Sequence, residues 1–401
     1  MTRPVAVPHP RNRPYRRSYL LLLPLLVLLA PRAGTAAGDG RNETAVRIGV
    51  LAPLSGPYAS GGTSFVEAAT LAVERANGEG GVLGHPVEVV VGDTQGRVDV
   101  ARSEAIRLLS REGAVGLVGA YLSEETVGVV EAAAGARVPV VVPVAATAEI
   151  TDLVRREYAR YRYVFRVGYS IPQWAGMVAR FLRENGISRY ALVGASIRWN
   201  RELAAELGRI LGDPAYAAFY SPGNPALEPV AVAAAQAAPQ LLVLLDPGRS
   251  SLAFVKRLRE GGASFPVLSV GGTLGDRRVA LSLPLSAPLF VQAAAWEGTS
   301  DEATRYFRDF ERRYGYAPVG YSDTLPYEAM TILLAAIRRA DTRDGEAIAT
   351  ELERGSFRGI AGTYRFDGSH QAAWGGEELH GTVIRWGPDG ARIVFPGTRG
   401  R

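Results

Sequence analysis

The chain has 401 residues, 47% of them hydrophobic, which is enough for two or three domains with apolar cores. It contains no cysteine, so disulfides, thiolate catalysis, cysteine metal sites and a lipid-modified cysteine anchor are excluded. The formal charge of +5 becomes −1 when the six arginines of residues 1–37 are left out, and no basic stripe is interleaved with aromatic residues, which argues against a nucleic-acid partner.

Residues 1–37 have the composition of a secretory signal peptide. Six arginines and no acidic residue flank the apolar run 19–30, and Thr-Ala-Ala at 35–37 supplies small residues for cleavage. A transmembrane anchor is the alternative, but an anchor needs about 20 apolar residues. Paired arginines at 16–17 are also compatible with twin-arginine export, so the general or the twin-arginine route remains open. The sequence therefore predicts a periplasmic or otherwise extracytoplasmic location.

The first α/β unit joins a strand to an amphipathic helix through a loop of small residues. Apolar residues at 46–51 predict the strand, which a Gly-Pro pair ends, and Thr63 or Ser64 is predicted to cap the helix. Loops at the carboxyl ends of parallel strands bind ligands, so Ser55 and Tyr58 in this loop are candidate ligand contacts. The alternative is an ordinary α/β connection that binds nothing.

Strands and helices then alternate in two successive runs. Strands are predicted at 46–51, 86–91, 115–118 and 138–142, and, after the pattern restarts near Phe165, at 190–193, 216–220, 241–245 and 266–270. The remaining predicted elements are helices at 301–314, 327–340 and 345–354 and a hairpin-like pair at 363–368 and 382–386. This alternation implies right-handed crossovers and parallel sheets, and hence two α/β lobes with a cleft suited to a small molecule.

The sequence lacks the common patterns of catalysis and metal binding. It contains no G-x-S-x-G, no G-x-x-x-x-G-K, no G-x-G-x-x-G after a strand and no H-E-x-x-H. The four histidines are scattered at His9, His85, His370 and His380. We therefore expect no enzymatic activity, no catalytic residue, no metal site and no cofactor.

Three side chains near strand ends are candidates for a binding site. Ser123 begins a helix and can offer its hydroxyl and backbone N–H groups to a carboxylate, or it is a plain helix cap. Trp199 is either a wall of the cleft or packed inside its own lobe. Asp246 follows the strand 241–245, where it can hold an ammonium or hydroxyl group or merely cap the next helix.

Six runs of sequence carry a resemblance to a known family. They are IGVLAPLSGPYASGG, GDTQGRVDVARSEAIRLLSREGAVGLVGAYLSEET, VPVVVPVAATAEIT, RYALVGASIRWNREL, FVKRLREGG and YRFDGSH, spread over residues 46–386. In this order and spacing the chain resembles the Leu/Ile/Val-binding proteins, the periplasmic solute receptors of branched-chain amino acid ABC transporters.

The resemblance implies the fold of a type I periplasmic binding protein. This is an α/β fold of two doubly wound parallel-sheet lobes joined by a three-crossing hinge. On this chain it predicts crossings near 166–170, 291–295 and 363–366. Lobe 1 would then comprise residues 45–166 and 295–363, and lobe 2 residues 167–294 and 364–396.

The resemblance also implies a set of ligand contacts. The implied carboxylate site consists of Ser123 and a small-residue loop, Ala145, Ala146 and Thr147. The family's usual threonine falls on Ala146. Trp199 takes the place of an aromatic clamp, and Gly61 takes that of a first-lobe tryptophan, a change expected to leave more room.

The acidic residue that would pair with an α-ammonium group falls within Gly271, Gly272 and Thr273, none of which is acidic. Enclosing an unpaired ammonium costs several kcal/mol. Either Asp246 or Glu124 substitutes for the missing acid, or the ligand is not a zwitterionic amino acid.

The function predicted from the sequence is that of the solute-binding component of an ABC importer. The expected ligand is a branched-chain amino acid or a related small polar organic solute, and the expected partner is the ABC permease complex in the membrane. A monomer is expected. The alternative is a ligand-sensing periplasmic module that signals to a membrane receptor.

Overall fold

A computed structural model of the protein describes residues 45–222, 226–376 and 378–396. The predicted signal peptide lies outside these ranges. Within them, no helix combines the length and the apolar character that crossing a bilayer requires.

The first half of the chain builds a five-stranded parallel sheet, in the order β2-β1-β3-β4-β5. Its elements are β1 (Val46–Ala52), α1 (Ala59–Gly78), β2 (Val87–Asp93), α2 (Val98–Ser110), β3 (Gly116–Gly119), α3 (Ser123–Ala136), β4 (Val140–Val142), α4 (Glu149–Arg156), α5 (Tyr158–Tyr161) and β5 (Val164–Arg166). We call the part of the molecule built on this sheet the first lobe.

The second lobe is built on a seven-stranded sheet, in the order β14-β13-β10-β9-β8-β6-β7. Its elements up to the fifth strand are α6 (Ile171–Glu184), β6 (Tyr190–Ala195), α7 (Arg198–Leu211), β7 (Tyr216–Tyr220), α8 (Leu227–Gln236), β8 (Leu241–Leu245), α9 (Ser250–Glu260), β9 (Val267–Val270), α10 (Arg277–Leu281) and β10 (Leu289–Ala293). These five strands are parallel, and the last two strands of the chain pair antiparallel at one edge.

The remaining elements are shared between the two lobes. They are α11 (Asp301–Tyr314), α12 (Thr324–Ala340), α13 (Gly345–Arg354), β11 (Phe357–Arg358), β12 (Thr363–Tyr364), β13 (Thr382–Gly387) and β14 (Gly390–Phe395). Helix α12 packs on α1, β3 and β4 of the first lobe, whereas β13 and β14 complete the second sheet. The chain therefore passes between the lobes after β5, after β10 and between β12 and β13, which confirms the predicted fold class. The exact lobe bounds remain a prediction.

The strands predicted from apolar runs are confirmed to within a few residues. Strand β8 shows why, since all five of its residues are buried. Helices cover both faces of a parallel sheet, so its central strands appear in the sequence as continuous apolar runs. Strands β5, β10, β11 and β14 were not predicted.

The predicted hairpin of residues 363–368 with 382–386 is wrong. Strand β12 pairs with β11, and β13 pairs with β10 and β14. A Pro388-Asp389 turn connects β13 to β14, and this short closure brings the two strands together more readily than the longer return over residues 369–381.

The predicted cap of the first helix is also wrong. Helix α1 begins at Ala59, with Tyr58 in the N-cap position. The hydroxyl groups of Thr63 and Ser64 instead donate to the carbonyls of Ala59 and Gly61, at 2.9 and 3.1 Å. Hydroxyl side chains inside a helix commonly bond back to the preceding turn in this way.

Candidate functional site

A cavity of about 590 Å³ opens between the two lobes. The first lobe contributes Ser60, Gly61 and Tyr121 to its wall, and the second contributes Arg249, Thr273 and Arg278. These residues follow strands β1, β3, β8 and β9, so the cavity lies where the carboxyl ends of both sheets meet. Open α/β sheets bind ligands at this edge, and the volume is within the usual range for small-molecule sites.

A second cavity, of about 560 Å³, adjoins the first. Tyr58 and the loop before it form one side, and Gly248 and Ser250 lie on the other. Ser60 and Arg249 line both cavities and so mark the place where the two spaces meet.

The predicted carboxylate loop is closed and lines neither cavity. Ser123 and Thr147 are fully buried, and Ala145 and Ala146 are nearly so. Ser123 does not cap α3: it is the first residue of the helix, and its Oγ accepts the backbone N–H of Thr147 at 3.3 Å. The structure brings these predicted residues together, but the Ser123 hydroxyl is already bonded to Thr147, and the Thr147 carbonyl accepts a hydrogen bond from Arg166 at 2.6 Å.

The carboxylate of Glu125 does the capping that the sequence assigned to Ser123. It accepts the backbone N–H groups of Tyr121 and Leu122, at 3.0 and 2.9 Å. Burial raises the pKa of this carboxyl group above its ordinary value. The signal for this role was present in the sequence, because an acidic residue at the third helical position is typical of a capping box.

A group of polar contacts closes the cleft beside Thr147. The Thr147 hydroxyl of the first lobe donates to Oε1 of Glu202 at 3.1 Å. Glu202 lies on α7 of the second lobe, so this hydrogen bond crosses the cleft. Arg198 bonds the same oxygen at 2.8 Å, pairs with Glu149 at 2.6 Å and donates its backbone N–H to Glu124 at 2.7 Å. We call these five residues the Arg198 contact. The Glu202 carboxylate thus bonds to a hydroxyl of the loop in which the resemblance implied a bound carboxylate.

Trp199 packs inside its own lobe, which is the second of the two alternatives. Its indole stacks on Trp174 of α6, with ring centroids 4.9 Å apart and planes 5° apart, and it is only 6% exposed. Trp174 in turn donates to Gln292 at 3.1 Å and lies 4.9 Å from Tyr321. The indole of Trp199 borders neither cavity.

Asp246 is fully buried and its oxygens are already engaged within the second lobe. It accepts hydrogen bonds from the Tyr220 hydroxyl at 2.6 Å, from the Gly248 N–H at 2.7 Å and from the Ser250 hydroxyl. Burial raises the pKa of this carboxyl group. Its position therefore does not provide the exposed partner that an ammonium group would need.

Of the remaining predicted residues, only Tyr58 and Thr273 line a cavity. Thr273 donates its hydroxyl to the Pro247 carbonyl at 2.6 Å. Gly272 is buried at φ +108, a left-handed conformation that favours glycine. Ser55 bonds Asp93 at 3.1 Å within the first lobe.

The extra room expected at Gly61 is taken by Tyr121. A Cβ atom built on Gly61 would lie 2.4 Å from the Tyr121 hydroxyl oxygen. The aromatic ring that borders this part of the cavity therefore comes from the loop after β3, and glycine at position 61 is what admits it.

Sequence reasoning did not find Ser60, Tyr121, Arg249 or Arg278. Arg249 carried a usable signal, because it follows an Asp-Pro-Gly turn at the end of a predicted strand. The other three are ordinary polar residues in sequence, and only the meeting of the lobes makes them neighbours.

The comparisons with known proteins agree with this geometry. A family model described as periplasmic binding protein matches residues 45–376. The chain is 24% identical over 394 residues to Leu/Ile/Val-binding protein homolog 7 of Brucella abortus, covering 90% of this chain and 96% of the relative.

Two solved structures show the same fold. The isoleucine complex of the substrate-binding protein LivJ from Streptococcus pneumoniae has a TM-score of 0.74 at 18% identity, covering 87% of this chain and 99% of LivJ. A Rhodopseudomonas palustris solute-binding protein in complex with benzoate has a TM-score of 0.75 at 17% identity, covering 87% and 95%. The predicted resemblance to the Leu/Ile/Val-binding proteins is confirmed, and the chain belongs to the periplasmic binding protein family.

Proposed function

We propose that this protein is the extracytoplasmic solute-binding component of an ABC importer. It binds one small polar organic solute between its lobes and delivers the solute to a membrane permease. The observation that carries the proposal is the cavity of about 590 Å³, whose walls come from strand-end loops of both lobes. The protein acts as a monomer that is exported by its N-terminal segment.

The comparisons support a solute of amino-acid or organic-acid size. The structural neighbours include complexes with isoleucine, benzoate and 3,4-dihydroxybenzoic acid. The fold thus accommodates both zwitterionic and purely anionic ligands, and a branched-chain amino acid or a related small solute is in the same range of size. No chemical step is assigned to the chain, since the residues lining the cavity serve for binding.

Binding is coupled to closure of the lobes. A solute in contact with both walls adds interactions that exist only when the lobes are together, so it shifts the population towards the closed form. Hinge closure of this kind gives a permease a distinct shape to recognise. Delivery then depends on the permease binding the closed form more tightly than the open one.

Thermal unfolding of the purified protein in the presence of candidate solutes tests the proposal. The panel comprises amino acids, amides, short carboxylates and alcohols. A specific solute should raise Tm in proportion to the logarithm of its concentration above Kd, because it binds only the folded state. If no member of the panel changes Tm, the proposal of a solute-binding protein fails.

A further inference from the structure

We propose that the solute is an organic anion whose carboxylate binds between Ser60 and Arg249, and whose recognition does not involve an ammonium group. The inference rests on the proposed function and names the class of solute. Ser60 belongs to the first lobe and Arg249 to the second, and both line the two adjoining cavities. An anion at this place would bridge the lobes.

The guanidinium of Arg249 is the first reason. It is exposed in the cleft, and its side chain has no hydrogen bond and no ion pair within the described ranges. The other arginine of the larger cavity, Arg278, is paired with Asp276 at 2.9 Å. The charged side chains of the wall therefore leave one positive charge without a partner, and a guanidinium binds a carboxylate through two parallel hydrogen bonds.

Two helix N-termini at this place add to the positive potential. Helix α1 begins at Ala59, next to Ser60, and α9 begins at Ser250, next to Arg249. Neither helix has a side-chain cap or an acidic residue in its first turn, and the nearest carboxyl group, that of Asp246 before α9, is buried and bonded to the Gly248 N–H and the Ser250 hydroxyl. The first N–H groups of a helix lack intrahelical partners and carry a partial positive charge, which favours a bound anion.

Tyr58 provides an independent observation. It lines the smaller cavity with Ser60 and Arg249, and it is only 6% exposed. Its hydroxyl is buried and has no hydrogen-bond partner among the described residues. Leaving a buried donor unpaired costs free energy, so an acceptor that reaches this hydroxyl when the lobes move apart and close again would be stabilised.

The cavity walls offer little to an ammonium group. Asp276 is the one acidic residue that lines either cavity in the described part of the chain, and it is held by the guanidinium and the backbone N–H of Arg278. Leu252, Val279 and Val319 are instead suited to an apolar body. The class that fits is a monocarboxylic acid with an apolar body.

Isothermal titration with matched probes tests the class of solute. The probes are benzoate against benzamide, and 4-methylpentanoate against L-leucine, which differs from it by the α-ammonium group. We expect each acid to bind more tightly than its matched probe. L-leucine binding more tightly than 4-methylpentanoate, or a panel in which only neutral or zwitterionic solutes bind, would overturn the inference while leaving the proposed function intact.

The variant Arg249→Gln tests the assigned residue. Affinity for the acids should fall roughly ten- to a hundredfold, which corresponds to the loss of hydrogen bonds to a charged group. Arg257→Gln is the matched control, since it removes the same charge from an exposed position on α9 and should leave affinity unchanged. Equal affinity of Arg249→Gln and the unsubstituted protein for the acids would contradict the assignment of Arg249. If no solute binds to the unsubstituted protein, the proposed function itself is wrong.

Discussion

Several carboxyl groups of this protein are buried at positions where the local sequence does not predict burial. Glu328 lies in α12 and is fully buried, with Oε1 accepting the Ala361 N–H at 2.8 Å. A Cβ atom on Gly359 would lie 2.1 Å from its Oε2, so this segment approaches the carboxyl group closely. Burial raises the pKa of Glu328 to about 7.

This raised pKa predicts a pH dependence of stability that Glu328→Gln should remove. The folded protein keeps a proton that the unfolded chain releases near pH 4.5, so the free energy of unfolding falls as pH rises from about 4.5 to about 7 and then levels. The shift corresponds to a loss on the order of 3 kcal/mol. Urea denaturation at pH 5 and pH 8 measures it.

The glutamine variant should show a smaller difference between the two pH values, because its amide keeps the hydrogen bond to Ala361 without titrating. Other groups contribute equally to both proteins, so the comparison isolates Glu328. An identical pH dependence in the two proteins would show that Glu328 does not titrate in this range.

At the scale of the elements, adjacent residues of α7 make two kinds of contact, one within the second lobe and one with the first lobe. Trp199 points back onto Trp174 of α6, whereas Arg198 and Glu202 reach the first lobe. A helix distributes successive residues around its axis, so neighbours in sequence meet different surroundings. The apolar face packs the helix within its lobe, and the polar face forms the Arg198 contact.

Trp199→Ala is expected to act mainly on folding. Removing a large stacked side chain from a buried site costs about 3 kcal/mol, and Trp199→Phe should cost less because it keeps an aromatic ring on Trp174. Urea denaturation of both variants measures the loss in the free energy of unfolding. Titration with a solute that the unsubstituted protein binds measures the affinity of each variant. Weakened binding at unchanged stability would instead place the indole at the ligand, as the sequence alone had suggested.

At the largest scale, the cleft between the two lobes is closed on one side and open on the other. The Arg198 contact joins the lobes beside Thr147, while the two cavities lie on the side of Ser60 and Arg249. Closure without a solute therefore depends in part on these polar pairs. Such pairs are weak when solvent reaches them, and the Arg198 side chain is 38% exposed.

Arg198→Gln should shift the protein towards its open form. We expect a larger radius of gyration in small-angle X-ray scattering without solute, and less than about a tenfold loss of solute affinity, since a partly exposed ion pair contributes only about 1 kcal/mol. Arg209→Gln is the control, because Arg209 is on the same helix and, among the described residues, pairs only with Glu206. Scattering curves that are identical for Arg198→Gln and the unsubstituted protein would contradict a role in closure.

The sequence by itself determined most of the strands and helices, their order and the two-lobed fold. Apolar runs such as 241–245 and the restart near Phe165 carry that information locally, because a central strand is buried along its whole length. It also determined that the chemistry of cysteine is excluded. The family resemblance indicated the cleft as the place where a solute binds.

Only the tertiary structure decided which strand-end loops border the open space. Thr147 and Glu202 are 55 residues apart, and their hydrogen bond closes a loop that looked available in sequence. Arg249 has no partner because none of the described segments that meet at the cleft brings a carboxylate to it. Such outcomes depend on distances between segments far apart in the chain, and these are set by how the lobes pack rather than by local residue patterns.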